Sequence, residues 1–274
     1  MQLTEQQRAE FHEKGFLIFP ELFTPAEVEV LRDEIRRLGP VETDHIVRER
    51  TGGIRTIFRV HEDDGPTQSA PFRALSRSSR LLAPAMQLLG DDDLYIYHSK
   101  VNTKVAIEGT VWLWHQDYGY WYWDGVPAPN LVTSTVLLDE ATEQNGCLYI
   151  VPGSHKLGRQ EPYADEETTS YKQWTIERER LVELLDQLPK PVALAGPPGT
   201  VAVFHCNVLH ASGHNLSPKN RWQIYVVYNQ VANRPNDVEN PRPDYVRSVN
   251  FEPLRIEDDT ALRAPLPVEA AGLR

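Results

Sequence analysis

The chain has 274 residues, 41% of them hydrophobic and 24% charged, the ordinary balance of a soluble globular protein. Acidic residues outnumber basic ones 39 to 28, and the formal charge of −11 excludes the basic stripe of a nucleic-acid binder and electrostatic capture by an anionic membrane. Two cysteines are too few for a disulfide framework or a thiolate zinc site, whereas nine histidines invite a chemical reading.

The polar opening MQLTEQQRAEFHEK has no signal-peptide core, and no apolar stretch approaches the roughly 20 residues of a membrane helix. The expectation is a cytoplasmic protein without nucleic-acid or membrane partners. Thr4 is placed to cap a helix running to about Lys14 and ended by Gly15. Phe16-Leu17-Ile18-Phe19 reads as a buried strand closed by Pro20. Thr24-Pro25-Ala26-Glu27 has the cap, first-turn proline and acidic residue of a helix start, and Val28, Leu31, Ile35 and Leu38 repeat at helical spacing. A further helix is expected over 73–89, interrupted near Pro84, so residues 1–93 read as mainly helical.

From residue 94 the texture turns to strands: 94–98, 110–114, 131–138, 147–151, 200–204 and 222–228 are rich in β-branched and aromatic residues between Gly, Pro and Asn turns. A polar, mostly helical insertion is expected over 160–190. Many short strands point to a sandwich or barrel with the helices packed outside it. The division expected is a single domain over 1–274, with its core at 94–230 and a C-terminal extension at 231–274.

The strongest chemical signal is Trp114-His115-Gln116-Asp117. Residues two apart on a strand share a face, so His115 and Asp117 are expected to converge on one ion, and imidazole with carboxylate suits ferrous iron. A second histidine must come from a distant segment, and His210, after the strand at 201–204, is the best candidate. Eleven residues beyond it, Arg221 opens the next strand, and a tight turn would bring it beside His210 in a neighbouring strand. There a guanidinium could grip a carboxylate in bidentate fashion, which suits 2-oxoglutarate, whose keto-acid end chelates iron.

These residues carry a family resemblance. His115-x-Asp117, Asn145-Gly146, Val151-Pro152-Gly153-Ser154-His155-Lys156 and His210-x-Ser212-x-x-Asn215-x-Ser217-x-x-x-Arg221 resemble the phytanoyl-CoA dioxygenase family of iron- and 2-oxoglutarate-dependent oxygenases. Within it, Trp112-x-Trp114-His115-Gln116-Asp117-Tyr118, Val227-Tyr228-Asn229 and Pro241-Arg242-Pro243-Asp244-Tyr245 are similar to bacterial hydroxylases of free amino acids and related metabolites, such as the proline 4-, leucine 5- and ectoine hydroxylases. The resemblance implies a mainly β fold, a double-stranded β-helix (jelly roll, cupin-like) with helices outside, and Fe(II), 2-oxoglutarate and O2 as metal, cosubstrate and oxidant. It implies His115, Asp117 and His210 as metal ligands, with Arg221 and Ser212 or Ser217 on the far carboxylate of 2-oxoglutarate. Asn102 is a second contact, and His98, where the relatives usually carry Gln, lies near the pocket and joins this cosubstrate-binding set. For the substrate, Arg242 is the first choice of carboxylate partner, Arg55 and Arg59 are the alternatives, and Trp121 is the wall residue. Related halogenases lack the carboxylate ligand, so Asp117 favours hydroxylation. A zinc hydrolase using the same ligands leaves Arg221 without a purpose, and a silent binding module does not account for an intact ligand set. The substrate, and the oligomeric state, are not legible.

Overall fold

The computed structural model describes residues 1–49, 51–169 and 172–263, so the end of the expected C-terminal extension, 264–274, lies outside the described residues. Local chemistry settles the start of the chain. Thr4 caps α1 (Glu5–Lys14) in a reciprocal box with Gln7, and Gly15 closes the helix at φ 83°, a left-handed value that glycine adopts without steric penalty. Next comes β1 (Phe16–Phe19), an edge strand whose Ile18 is 37% exposed, so it is less buried than its apolar sequence implies. Thr24 and Glu27 form a second capping box at α2 (Pro25–Leu38), whose Val28, Leu31, Ile35 and Leu38 are all buried.

The rest of the N-terminal third departs from expectation. β2 (Ile46–Arg48) and β3 (Ile54–Phe58) pair as a hairpin in a stretch read as helical. Their runs are too short for a period to show, and β3 is held by pairing with a strand far along the chain. The helix expected over 73–89 is two helices, α3 (Ala70–Arg77) and α4 (Leu82–Leu89). The break falls at Ser78, whose backbone turns extended and whose hydroxyl donates to the Leu75 carbonyl. Pro84 sits in the first turn of α4, where a missing N–H is harmless.

Strands then follow as read, with different bounds: β4 (Leu94–Lys104), β5 (Trp112–His115), a short helix α5 (Asp117–Trp121), β6 (Leu131–Leu137) and β7 (Leu148–Ile150). The insertion is helical only in its second half, since β8 (Pro162–Asp165) and β9 (Gln173–Ile176) form a hairpin before α6 (Arg178–Gln187). Tertiary contacts shape that hairpin: the Gln173 amide accepts from Leu113 N and donates to the Val111 carbonyl, and the Thr175 hydroxyl donates to the Trp114 carbonyl. β10 (Val192–Leu194), β11 (Val201–His205), β12 (His210–Ser212) and β13 (Arg221–Gln230) complete the set.

Besides the two-stranded β8-β9 hairpin, two antiparallel sheets result among the described residues, a larger one in the order β1-β11-β6-β13-β4-β3-β2 and a smaller one in the order β10-β7-β12-β5. This is the jelly roll read from the strand pattern, with the larger sheet drawing three strands from the N-terminal third. Helices α2, α3 and α4 cover its outer face, where Leu31, Ile35, Phe72 and Leu75 pack with Val101, Val136, Ile224 and Val226. Alternation along β13 and β4 leaves the opposite set facing in: Arg221, Gln223 and Tyr225 stand opposite Lys104, Asn102 and Lys100. A register shift near Tyr97 keeps that tyrosine against Trp121 while the next residue, His98, lines the interior. Among the described residues no helix is long and apolar enough to cross a membrane.

Candidate active site and metal centre

His115 ends β5 and His210 begins β12, directly opposite each other in adjacent antiparallel strands, with ring centroids 4.2 Å apart. Asp117 does not share a strand face with His115, as its spacing suggested. The strand stops at His115, Gln116 is extended, and Asp117 opens α5. The turn is held from behind: the Gln116 amide donates to the Gly158 and Asn207 carbonyls and accepts from Gln160 N, and Tyr118 N donates to the Cys206 carbonyl. So fixed, Asp117 Oδ1 lies 3.8 Å from His115 Nε2 and 3.9 Å from His210 Nε2. All three side chains are buried, and their ligand atoms lie within 4.8 Å of one another.

The second nitrogen of each imidazole fixes its tautomer. His115 Nδ1 contacts the Leu113 carbonyl at 2.6 Å and His210 Nδ1 the Val208 carbonyl at 3.0 Å. A carbonyl only accepts, so both Nδ1 atoms carry hydrogen, which leaves Nε2 of each ring as the atom that could meet a metal. Burial, helped by neighbouring His210 and opposed by Asp117, pushes the His115 pKa down to about 3, which keeps that ring neutral at physiological pH. Two imidazoles and one carboxylate, at separations too long for hydrogen bonds, form a donor set that fits a divalent metal such as iron.

Arg221 does not lie in a strand beside His210. β13 is flanked by β4 and β6 in the larger sheet, so the arginine reaches the interior from the opposite wall. It is 1% exposed, donates to Gln223 Oε1 and to the Gly146 carbonyl at 2.6 Å each, and lies against the Tyr225 phenol, which itself lines the metal cavity. Its Nε has no acceptor, and among the described residues no carboxylate pairs with it. A buried guanidinium with no paired carboxylate is costly, and the Tyr225 phenol it lies against lines the metal cavity, so an anion entering from that side would offset it. Burial pushes its pKa below the ordinary arginine value.

Of the other residues singled out, Asn102, Ser212, His98 and Trp121 line the metal cavity. His98 Nδ1 contacts the Val246 carbonyl, which leaves Nε2 as an acceptor. Ser217 does not line the cavity; its hydroxyl donates to Asn215 Oδ1 and the Lys219 carbonyl, shaping the turn that leads into β13. Arg242 lines a wider outer cavity, and its guanidinium is held by Asp124 at 2.6 Å over the Tyr120 ring. Arg59 has a left-handed φ of 58° just past β3 and bonds to Glu62 and the Asp244 carbonyl, outside both cavities; Arg55 lines the outer cavity in its place. Sequence reading missed Lys100 and Lys104. The alternation His98, Lys100, Asn102, Lys104 along one strand was the available signal, since four polar residues at period two mark a wetted face. Burial pushes the Lys100 pKa down to about 8 against the pull of Asp117, and burial with nearby Arg221 pushes Lys104 to about 6.

The Asn145-Gly146 turn connects backbone strain to the anion pocket. Gly146 has φ 73°, and a Cβ there would meet the Gly213 carbonyl oxygen at 2.5 Å, while its own carbonyl receives Arg221. Gly146→Ala is expected to lose ~2–4 kcal/mol of stability in urea unfolding and to disturb the arginine. Wild-type stability in that variant would show that the turn yields easily.

A family model, phytanoyl-CoA dioxygenase (PhyH), matches residues 11–222. The ectoine dioxygenase of Sphingopyxis alaskensis is 34% identical over 93% of this chain and 86% of that protein. The L-proline trans-4-hydroxylase of Streptomyces griseoviridis is 31% identical over 88% of this chain and 91% of that protein. The crystal structure of EctD from S. alaskensis with 2-oxoglutarate and 5-hydroxyectoine matches with a TM-score of 0.79 at 34% identity, covering 93% of this chain and 87% of that one. The same enzyme with bound Fe matches with a TM-score of 0.78 at 31% identity over the same shares of the two chains.

Proposed function

Since the chain belongs to the phytanoyl-CoA dioxygenase family, we propose that it is an Fe(II)- and 2-oxoglutarate-dependent dioxygenase that hydroxylates an unactivated C–H bond of a small metabolite, a free amino or imino acid. The observation that carries this is the clustering of His115, Asp117 and His210 across the interior from a buried arginine that, among the described residues, pairs with no carboxylate. Bound iron and 2-oxoglutarate supply the oxidising chemistry, in which O2 is consumed as 2-oxoglutarate goes to succinate and carbon dioxide and the substrate gains a hydroxyl.

The chain's own residues bind, orient and exclude water. His115, Asp117 and His210 hold the metal. Arg221 receives the far carboxylate of 2-oxoglutarate, with Ser212 and Asn102 on the cavity wall. Arg242, preset by Asp124 and Tyr120, offers its guanidinium to the substrate carboxylate. His98 Nε2 presents an acceptor to the substrate amine. Trp121, 1% exposed and edge-on to Tyr97 at 5.2 Å, is a rigid wall that keeps water from the reacting carbon. A panel of free amino acids and cyclic imino acids, supplied with iron and 2-oxoglutarate, is expected to show substrate-dependent succinate and a product heavier by one oxygen. If no member of the panel raises succinate above the uncoupled rate, the reading fails.

A further inference from the structure

Three successive carbonyls of one turn, those of Cys206, Asn207 and Val208, hold the metal centre in place. The Cys206 carbonyl accepts from Tyr118 N at 3.0 Å and the Asn207 carbonyl from the Gln116 amide at 2.8 Å. The residues on both sides of Asp117 are thereby fixed to adjacent peptide groups. The Val208 carbonyl accepts from His210 Nδ1 at 3.0 Å, which orients that imidazole. Two of the three ligands, on different elements, thus take their placement from a turn that contributes no ligand itself. All three residues of the turn are buried.

His205, the last residue of β11, closes this turn. Its backbone N–H donates to the Gly15 carbonyl at 2.9 Å, and its carbonyl accepts from Val208 N at 2.9 Å. Its side chain acts from within, because Nδ1 accepts from Asn207 N at 3.0 Å. An N–H buried without its acceptor is costly, so loss of Nδ1 would favour opening of the turn. The histidine does here what an aspartate or asparagine side chain does in other turns, accepting from the amide two residues on. An accepting Nδ1 places the ring proton on Nε2, the opposite of the tautomer at His115 and His210. Burial, with His155 and His12 nearby, pushes the His205 pKa down to about 4, so Nδ1 keeps its lone pair at physiological pH.

We propose that His205 is a positioning residue for the metal centre: its Nδ1 holds the turn of Cys206, Asn207 and Val208 closed, and the closed turn sets Asp117 and His210 in place. The proposal rests on the reading of His115, Asp117 and His210 as metal ligands. It adds to them a residue that lines neither the inner nor the outer cavity.

Two substitutions separate the acceptor from the bulk of the ring. Asparagine Oδ1 stands as many bonds from Cα as histidine Nδ1 and can take the same N–H, whereas phenylalanine keeps a ring and offers no acceptor. His205→Phe is expected to weaken Co(II), a spectroscopic stand-in for Fe(II), by about ten-fold or more and to alter its visible absorption. His205→Asn is expected to stay within about three-fold of wild type, with the wild-type spectrum. A histidine that served only the fold would lower the urea midpoint of the apo protein and leave both metal readouts unmoved. Wild-type Co(II) affinity in a folded His205→Phe variant therefore overturns the proposal. Equal weakening by both substitutions also overturns it, since bulk and not the acceptor would then matter.

The wild-type protein supplies a test that needs no variant to fold. Coupling between two sites is reciprocal, so saturating Co(II) is expected to slow amide exchange at Tyr118 and Asn207 by about the same ten-fold. Unchanged exchange at both positions, or a proton on His205 Nδ1 in nitrogen NMR spectra, overturns the proposal. If the wild-type protein binds no metal, the ligand reading fails. If it binds metal while its exchange is unmoved, only the role of His205 falls.

Discussion

Asp117→Ala is expected to reduce substrate-dependent succinate formation by more than ~10³-fold and to abolish stoichiometric Fe(II) binding. His115 and His210 come from paired strands, and Asp117 supplies the carboxylate of the three-residue donor set. It is also placed by different means, at the start of a helix whose preceding residue, Gln116, is tied to three backbone groups, and among the described residues the lining of the metal cavity includes no other acid. In the metal-free protein the same carboxylate is buried with only long contacts, 3.4 Å to the Thr133 hydroxyl and 3.5 Å to that of Tyr120. Asp117→Asn is therefore expected to leave the stability of the apo protein unchanged or to raise it, since burial of a poorly solvated charge is removed. Metal analysis with succinate assays checks the first outcome and urea unfolding the second. A variant that keeps both metal and turnover would remove Asp117 from the centre.

Arg221→Lys is expected to weaken 2-oxoglutarate by ~30- to 1,000-fold, the range for losing one partner of a buried, charge-assisted pair. Lysine keeps the charge but loses the planar fork, and the fork here already serves Gln223 and the Gly146 carbonyl while its Nε points to no acceptor. An ammonium cannot serve those partners and a carboxylate together. The expected signature is a large rise in the half-saturating 2-oxoglutarate concentration with metal binding intact, because His115, Asp117 and His210 stand on other elements. Unchanged cosubstrate affinity would show that the buried arginine serves only the fold.

The residues legible in advance are those whose signals are local. The capping boxes at Thr4 and Thr24 and the period-3.6 stripe of α2 depend on contacts a few residues apart, so the sequence determined those helices. Strand texture after residue 94 was enough for a jelly roll, since β-branched runs between turn residues have few other ways to bury both faces. The hairpin of β2 and β3, and that of β8 and β9, escaped notice because each is stabilised by a distant partner. Arg55 and Arg59 are equal alternatives to Arg242 in the sequence, yet one step past the strand the backbone of Arg59 turns left-handed and its side chain goes to Glu62 and the Asp244 carbonyl.

The sequence by itself determined the ligand types, the fold class and the family, all of which rest on residue identity and short-range spacing. The tertiary structure decided the rest. It set Asp117 at a helix start instead of on a strand, brought Arg221 in from the opposite sheet, placed Ser217 in a turn, and gathered Lys100, Arg55 and Arg242 around one cavity. Sheet pairing joins residues a hundred positions apart, such as Arg221 and Lys104, and a one-residue shift of register would turn every one of those side chains to the other face. Long-range register carries no local signal, so the charge of the cavity emerges only when the sheets close.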